Sequence, residues 1–274
     1  WQSRDTVGAS AKAKFVYKAY STTVKRDLLG NEIGRELTNG FQYDDFGNLL
    51  ASATNSYDAN MSVLRTVAIA NTYDNDTSRW ILGRLRTSRV TTSRPSGDAP
   101  LSVVRTSSFD YDPNTGQLTV ERLQPGGSVD QALTKVYRYD GFGNRVSQAT
   151  CSGDVAEATC ASLTAGTVAF HPSSDVTVQR FSKATFDSSG IFANASYGAF
   201  WSGSGAVERQ VSAVLQRDKF GNPTLSSNSN GATVVAGYGA LGRKYYEGSN
   251  TGVASTVTWR WCAPNWPGGA KQCG

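Results

Sequence analysis

The stretch Tyr139-Asp140-Gly141-Phe142-Gly143-Asn144 decides how this chain is read, because much of the remainder consists of imperfect copies of it. Tyr43-Asp44-Asp45-Phe46-Gly47-Asn48 is a close copy, and Arg217-Asp218-Lys219-Phe220-Gly221-Asn222 keeps everything but the tyrosine. Looser versions are Arg26-Asp27-Leu28-Leu29-Gly30-Asn31, Tyr111-Asp112 with Gly116, Phe186-Asp187-Ser188-Ser189-Gly190, and Tyr238-Gly239-Ala240-Leu241-Gly242-Arg243. Tyr73-Asp74 followed by Trp80-Ile81-Leu82-Gly83-Arg84-Leu85 reads as a copy split by an insertion. Each residue type has a physical job. The aromatic ends a strand, and the Asp oxygen accepts from backbone N–H groups of the turn that follows. The Gly supplies the positive φ with which the chain reverses. The unit is therefore a hairpin turn, defined by Tyr43, Asp44 and Gly47, by Tyr139, Asp140 and Gly143, by Asp218 and Gly221, and by Gly242. Gly47, Gly143 and Gly221 are expected at positive φ.

The copies begin at residues 26, 43, 73, 111, 139, 186, 217 and 238, at uneven intervals. A strict solenoid has one fixed period, so the unevenness predicts a ribbon of hairpins whose tips tolerate insertion, on a basic unit of roughly 20 residues. Alternating segments fill the intervals, as in Lys14–Tyr20, Leu101–Thr106, Gln117–Leu123 and Thr134–Tyr139. Apolar residues at helical spacing are nearly absent, and the best candidate, Ala9–Tyr20, alternates like a strand at its end. The fold class is all-β: one continuous, twisted antiparallel sheet of consecutive hairpins, helical over less than about a tenth of its residues. The repeat region spans 1–274 as a single unit. Residues 151–210, rich in Ser, Ala and Gly, depart from the pattern and read as an irregular insertion.

The 274 residues are 39 % hydrophobic, with 28 Gly and 12 Tyr, a profile that suits exposed sheet more than a thick core. The net charge of +5 comes from basic residues interleaved with Ser and Thr along strands, not clustered beside stacking aromatics, which speaks against nucleic acid. No apolar run approaches the roughly 20 residues that span a membrane. Cys151 and Cys160 bracket one short polar loop, and Cys262 and Cys273 another. A metal site would need paired cysteine knuckles or histidine partners, so two local disulfides are expected, in an oxidising, extracytoplasmic setting. The one histidine, His171, lies with Ser173, Ser174 and Asp175 in an irregular stretch, and the acid pairs Asp44-Asp45 and Asp110/Asp112 sit in turns where Asp has a capping role. Gly237-Tyr238-Gly239-Ala240-Leu241-Gly242 has dinucleotide-loop spacing without the strand–helix context. Neither an enzyme nor a cofactor is expected.

The recurring aromatic-Asp-x-x-Gly units resemble the Rhs/YD-repeat family, whose hairpins run aromatic-Asp-x-x-Gly-Arg/Asn-Leu. The order Trp80–Thr92, Phe109–Gly116, Val136–Asn144, Asp218–Asn222 and Gly239–Arg243, ending at Thr258-Trp259-Arg260-Trp261-Cys262, is similar to the repeat region of insecticidal toxin-complex B components and secreted Rhs proteins. The resemblance implies a β-strip that spirals into a hollow shell enclosing or displaying a toxic C-terminal effector. The chain would then be a non-enzymatic section of a longer polypeptide, with its remaining repeats and effector as partners. Two family features are missing: an Asp-Pro-x-Gly closing segment before an autocleavage site, and an effector domain. Asp112-Pro113-Asn114-Thr115-Gly116 has similar letters but sits in a repeat turn. The alternative is an extracellular binding module, adhesive or filament-forming, in which Trp80, Trp201, Trp259, Trp261 and Trp266 contact carbohydrate or protein. Open sheet edges would favour self-association in either case.

Overall fold

The computed structural model describes residues 2–5, 14–95, 101–164, 179–201 and 206–258. In chain order the first strands are β1 (Gln2–Asp5), β2 (Lys14–Tyr17), β3 (Ser21–Arg26), β4 (Glu32–Tyr43), β5 (Leu49–Asp58) and β6 (Val63–Asp76). They continue as β7 (Ile81–Arg94), β8 (Leu101–Tyr111), β9 (Leu118–Leu123), β10 (Leu133–Tyr139) and β11 (Arg145–Ser152), followed by the helix α1 (Glu157–Thr164). The rest are β12 (Gln179–Phe186), β13 (Ala193–Trp201), β14 (Ala206–Arg217), β15 (Pro223–Asn228), β16 (Thr233–Tyr238), β17 (Lys244–Ser249) and β18 (Ala254–Thr256). β1 and β2 pair by themselves, and β3 to β18 lie in sequence order in a 16-stranded antiparallel sheet that does not close. The chain forms two compact units, Trp1–Tyr137 with Ala149–Gly166 and Ser173–Gln179, and Arg138–Gln148 with Thr167–Pro172 and Arg180–Gly274.

In the first unit, alternation decides what each face of the sheet carries. The register aligns Val67 with Thr92 and Thr92 with Val103, and Ile69 with Val90, so one face of β6–β8 gathers β-branched apolar residues. The other face aligns Thr72 with Thr87 and Ser108, and Ala68 with Thr91 and Val104. Cross-strand hydroxyl pairs occur on both faces, Thr72–Thr87 at 2.6 Å on the second and Thr38–Thr54 at 2.9 Å on the first, where Thr54 lies opposite Val67. Most of these positions are only half-buried. The densest packing lies where α1 meets the sheet, with Ala149, Cys151, Cys160 and Leu163 fully buried. Cys151 is bonded to Cys160 across a Cα separation of 6.0 Å. Arg122 adds a two-pronged bond to Glu157 at 2.6 and 2.8 Å, in the first turn of α1.

In the second unit, β13 and β14 align Ala195 with Ala213 and Ser196 with Ser212, whose hydroxyls meet at 2.7 Å. The stretch expected to be irregular is thus only partly so. It holds α1, and strands resume from Gln179. Small side chains hide the alternation that marks a strand, yet the ladder bonds are made by the backbone, which Ala, Ser and Gly supply as well as Val. His171 and the Cys262–Cys273 pair lie outside the described residues.

The disulfide at α1 generates a prediction. Cys151→Ser/Cys160→Ser should lower stability by about 2–3 kcal/mol from loop entropy. Amide exchange should speed up over 145–164 while β4–β8 keep their protection; uniform loss across the sheet would contradict a local staple.

Candidate functional site

No group of histidine, cysteine, aspartate and glutamate suited to a metal ion occurs among the described residues. What recurs is the turn itself. In the turn from Asp140, one carboxylate oxygen accepts from the N–H of Phe142 and of Asn144, both at 2.9 Å, and the other accepts from the Asn144 amide at 3.1 Å. Backbone bonds close the loop, Asp140 N–H to Asn144 O at 3.0 Å and Gly143 N–H to Asp140 O at 3.1 Å. The turns from Asp27, Asp44 and Asp218 repeat all five bonds. Gly47, Gly143 and Gly221 sit at φ 86°, 88° and 86°, and Gly242 at 69°.

Several turns escaped the sequence pattern. Asp58 accepts from Asn60 and Ser62, with Met61 at φ 64° where glycine would stand. Asn228 and Ser249 replace the aspartate in two others. The turn at Gly239, which the sequence did show, has no aspartate and keeps the two backbone bonds. One assignment is corrected. Tyr73-Asp74 lies within β6, and the capping carboxylate is Asp76, which accepts from the N–H of Ser78 and Arg79. Asp74 instead pairs with Arg84 at 2.7 Å. The insertion shifted the turn by two residues, and a second carboxylate was there to receive it.

Successive strands run antiparallel, so alternate turns fall on the same sheet edge, and neighbouring turns on one edge interlock. In the first unit, Asn75 donates to the Asp44 carboxylate at 3.0 Å and accepts from the Gly83 N–H at 2.7 Å, joining two turns. Arg79 reaches the Pro113 carbonyl of the next, and Ile81 lies against Gly116. In the second unit, the Asn144 amide donates to the Gly190 carbonyl at 2.7 Å, and the Phe142 ring occupies the space above Gly190. The Phe192 ring likewise covers Gly221, with the Arg217 guanidinium 5.0 Å from its centroid. The sequence had singled out Gly221 for φ but not Gly190; the side chain on top of each was missed, though a Phe in the turn was its visible sign.

The carboxylates are held below their usual pKa range. For Asp218 the Asn222 amide is the leading cause, and for Asp27 the Asn31 amide. At Asp44 and Asp140 burial acts in the opposite direction and is outweighed by the asparagine and backbone donors. Tyr43 is half-buried, its hydroxyl 3.4 Å from the Lys18 carbonyl and its ring stacked on Phe41 at 6.2 Å. Tyr139 is half-buried as well. Trp80 stands at a turn tip with φ 57° and is 74 % exposed. Trp259, Trp261 and Trp266 lie outside the described residues, as does the side chain of Trp201, whose backbone ends β13.

No protein-family model and no curated protein matches the chain. Among solved structures it is similar to the crystal structure of TcdB2-TccC3, with 14 % identity over 83 % of this chain and 13 % of that one, at a TM-score of 0.32. It is similar to TcdB2-TccC3 without its hypervariable C-terminal region, at 14 % identity and a TM-score of 0.28, over 88 % of this chain and 15 % of that one. The chain therefore spans a small part of the length of these structures.

One prediction follows from the interlock, one from the left-handed backbone and one from the charges. A Cβ on Gly190 would lie 2.3 Å from the Phe142 ring and one on Gly221 2.1 Å from Phe192, whereas Gly30, at φ 88°, has nothing within 4 Å. Gly30→Ala and Gly143→Ala should each cost about 1 kcal/mol from the left-handed backbone, and Gly190→Ala about 1–3 kcal/mol beyond that from overpacking. Urea unfolding measures both, and Phe142→Ala should remove the excess of Gly190→Ala. In the opposite direction, Met61→Gly should raise stability by about 0.5–1 kcal/mol by relieving the same left-handed penalty. A carboxylate whose folded pKa lies below its unfolded value stabilises above the unfolded pKa and loses that contribution as pH falls through the folded one. Stability should hold from neutrality to about pH 5 and fall below about pH 4. Asp140→Asn/Asp218→Asn, copying the natural Asn228 turn, should flatten that decline; an unchanged acid limb would contradict the assignment.

Proposed function

We propose that the chain is a non-catalytic wall section of an Rhs/YD-repeat shell, part of a longer secreted polypeptide that encloses or displays an effector domain. The observation that carries this is the interlock of neighbouring turns on one edge, exemplified by Phe142 over Gly190 and Phe192 over Gly221. Such contacts add one hairpin to the next by local rules, so a sheet grows without a deep core, which is what a wall requires and an active site does not. The Asp turns are the residues through which the sequence resembles the family. The buried disulfide Cys151–Cys160 supports an extracytoplasmic location. Exposed Trp80 favours the second reading, a carbohydrate-binding module.

Limited proteolysis of the longer polypeptide tests the proposal. The effector segment should be protected in the native protein and cleaved in a Gly190→Val/Gly221→Val variant, whose wall contacts are broken. Equal cleavage of both would exclude enclosure. Glycan-array binding abolished by Trp80→Ala would place the binding reading first.

A further inference from the structure

The sequence holds two Asn-Gly pairs, Asn39-Gly40 and Asn230-Gly231, and one Asp-Gly pair, Asp140-Gly141. In such a pair the glycine nitrogen can attack the side-chain carbonyl carbon of the residue before it, since no Cβ shields the approach. The structure sets the three pairs apart. Asn39 is half-buried within β4, opposite Ala53, and the Thr38 before it is paired on both sides, with Ser21 and Thr54. Ring closure there has to wait for the ladder to open. Asp140 has both carboxylate oxygens engaged by donors of its own turn, and an ionised carboxylate offers no leaving group. Asn230 and Gly231 stand exposed at the tip of the turn from Asn228. No bond holds the Asn230 side-chain amide among the described residues; only its backbone N–H is capped, by the Asn228 oxygen at 2.9 Å. The Gly231 N–H makes a long bond, 3.2 Å to the Asn228 carbonyl.

We propose that Asn230 is a site of self-catalysed deamidation, the point at which this chain ages first. The Gly231 nitrogen bonds to the Asn230 side-chain carbonyl carbon, and the carbon–nitrogen bond of the side-chain amide breaks. The departing amide nitrogen takes the Gly231 proton and leaves as ammonia, and a five-membered imide remains. Water then opens the ring. Cleavage at the side-chain carbonyl gives aspartate; cleavage at the backbone carbonyl gives isoaspartate, in which the main chain runs through the former side chain and is longer by one methylene. No electron is transferred, and water is the only co-reactant. The consequence lies in what this tip holds together. Its reversal is closed by Asn228 N–H to the Ala232 carbonyl at 3.0 Å. The Arg209 guanidinium donates to the Ser229 carbonyl at 2.9 Å, and the Asn250 amide, from the next turn on this edge, donates to the Gly231 carbonyl at 3.3 Å. An extra methylene displaces all three acceptors, so isoaspartate at 230 uncouples β15 and β16 from the turn that follows β17.

The test is timed incubation of the 274-residue chain at neutral pH, followed by peptide mapping that separates asparagine, aspartate and isoaspartate at each position. In the folded protein Asn230 should convert about tenfold or more faster than Asn39, the factor that a modest cost of opening β4 supplies. In urea, where neither pair is held, the two rates should converge. Asp140 should stay unisomerised in the folded protein. Equal rates at Asn39 and Asn230 in the folded protein, or no conversion at Asn230, overturns the proposal. Asn230→Ser removes the site and leaves the capping Asn228 in place. Aged wild-type protein should then show faster amide exchange over 223–249 than fresh protein, and aged Asn230→Ser should not. The same loss of protection in the variant would assign the ageing to another residue, and no loss in wild type would strike the uncoupling of the strands.

Discussion

One carboxylate oxygen accepting two N–H groups of its own turn is the bond on which the rest of this molecule depends. It closes a reversal within five residues, fixes where each strand ends, and so sets which residues of consecutive strands lie opposite one another. The bond is local, and its strength owes nothing to a distant core. That explains why strands such as β6 and β7, half-buried along most of their length, still hold one register over the seven pairs from Thr66–Ser93 to Thr72–Thr87, shifting only close to the turn. It also explains the range of substitutes. Asn228 and Ser249 present an oxygen in the same place, and Gly239 dispenses with it because the two backbone bonds remain.

Contacts between neighbouring turns turn a set of hairpins into one fabric. Asparagine does this twice over, reaching back to its own aspartate and, as Asn144, forward to the next turn's carbonyl. Glycine also serves twice. Its backbone enters the left-handed region, and its missing side chain leaves room for a ring from the turn before. Where α1 lies on the first unit the strategy changes to ordinary burial, with a disulfide and a bidentate ion pair holding a short helix in place.

The all-β antiparallel architecture was legible in the sequence because the aspartate and glycine of each turn are dictated by local backbone chemistry. Turns that satisfied the same chemistry with other residues were not, since nothing marks Met61 as left-handed or Asn228 as a cap when each is met alone. The split copy was placed two residues early because Asp74 and Asp76 are equally plausible acceptors until register assigns the first to Arg84. The interlock was invisible for a different reason. Phe142 and Gly190 lie far apart in sequence, and only the return of the chain to the same edge brings them together.

Interlock that reaches only to the next turn has a mechanical consequence. Each hairpin answers to two neighbours, so stability within a unit resembles that of a one-dimensional lattice, a sum of rungs and couplings, more than that of a globule. Disturbance travels by steps along the edge and fades with distance. Sequence change is then absorbed piecemeal: a rung can lengthen, lose its aspartate or acquire a methionine while the rungs two places away keep their geometry.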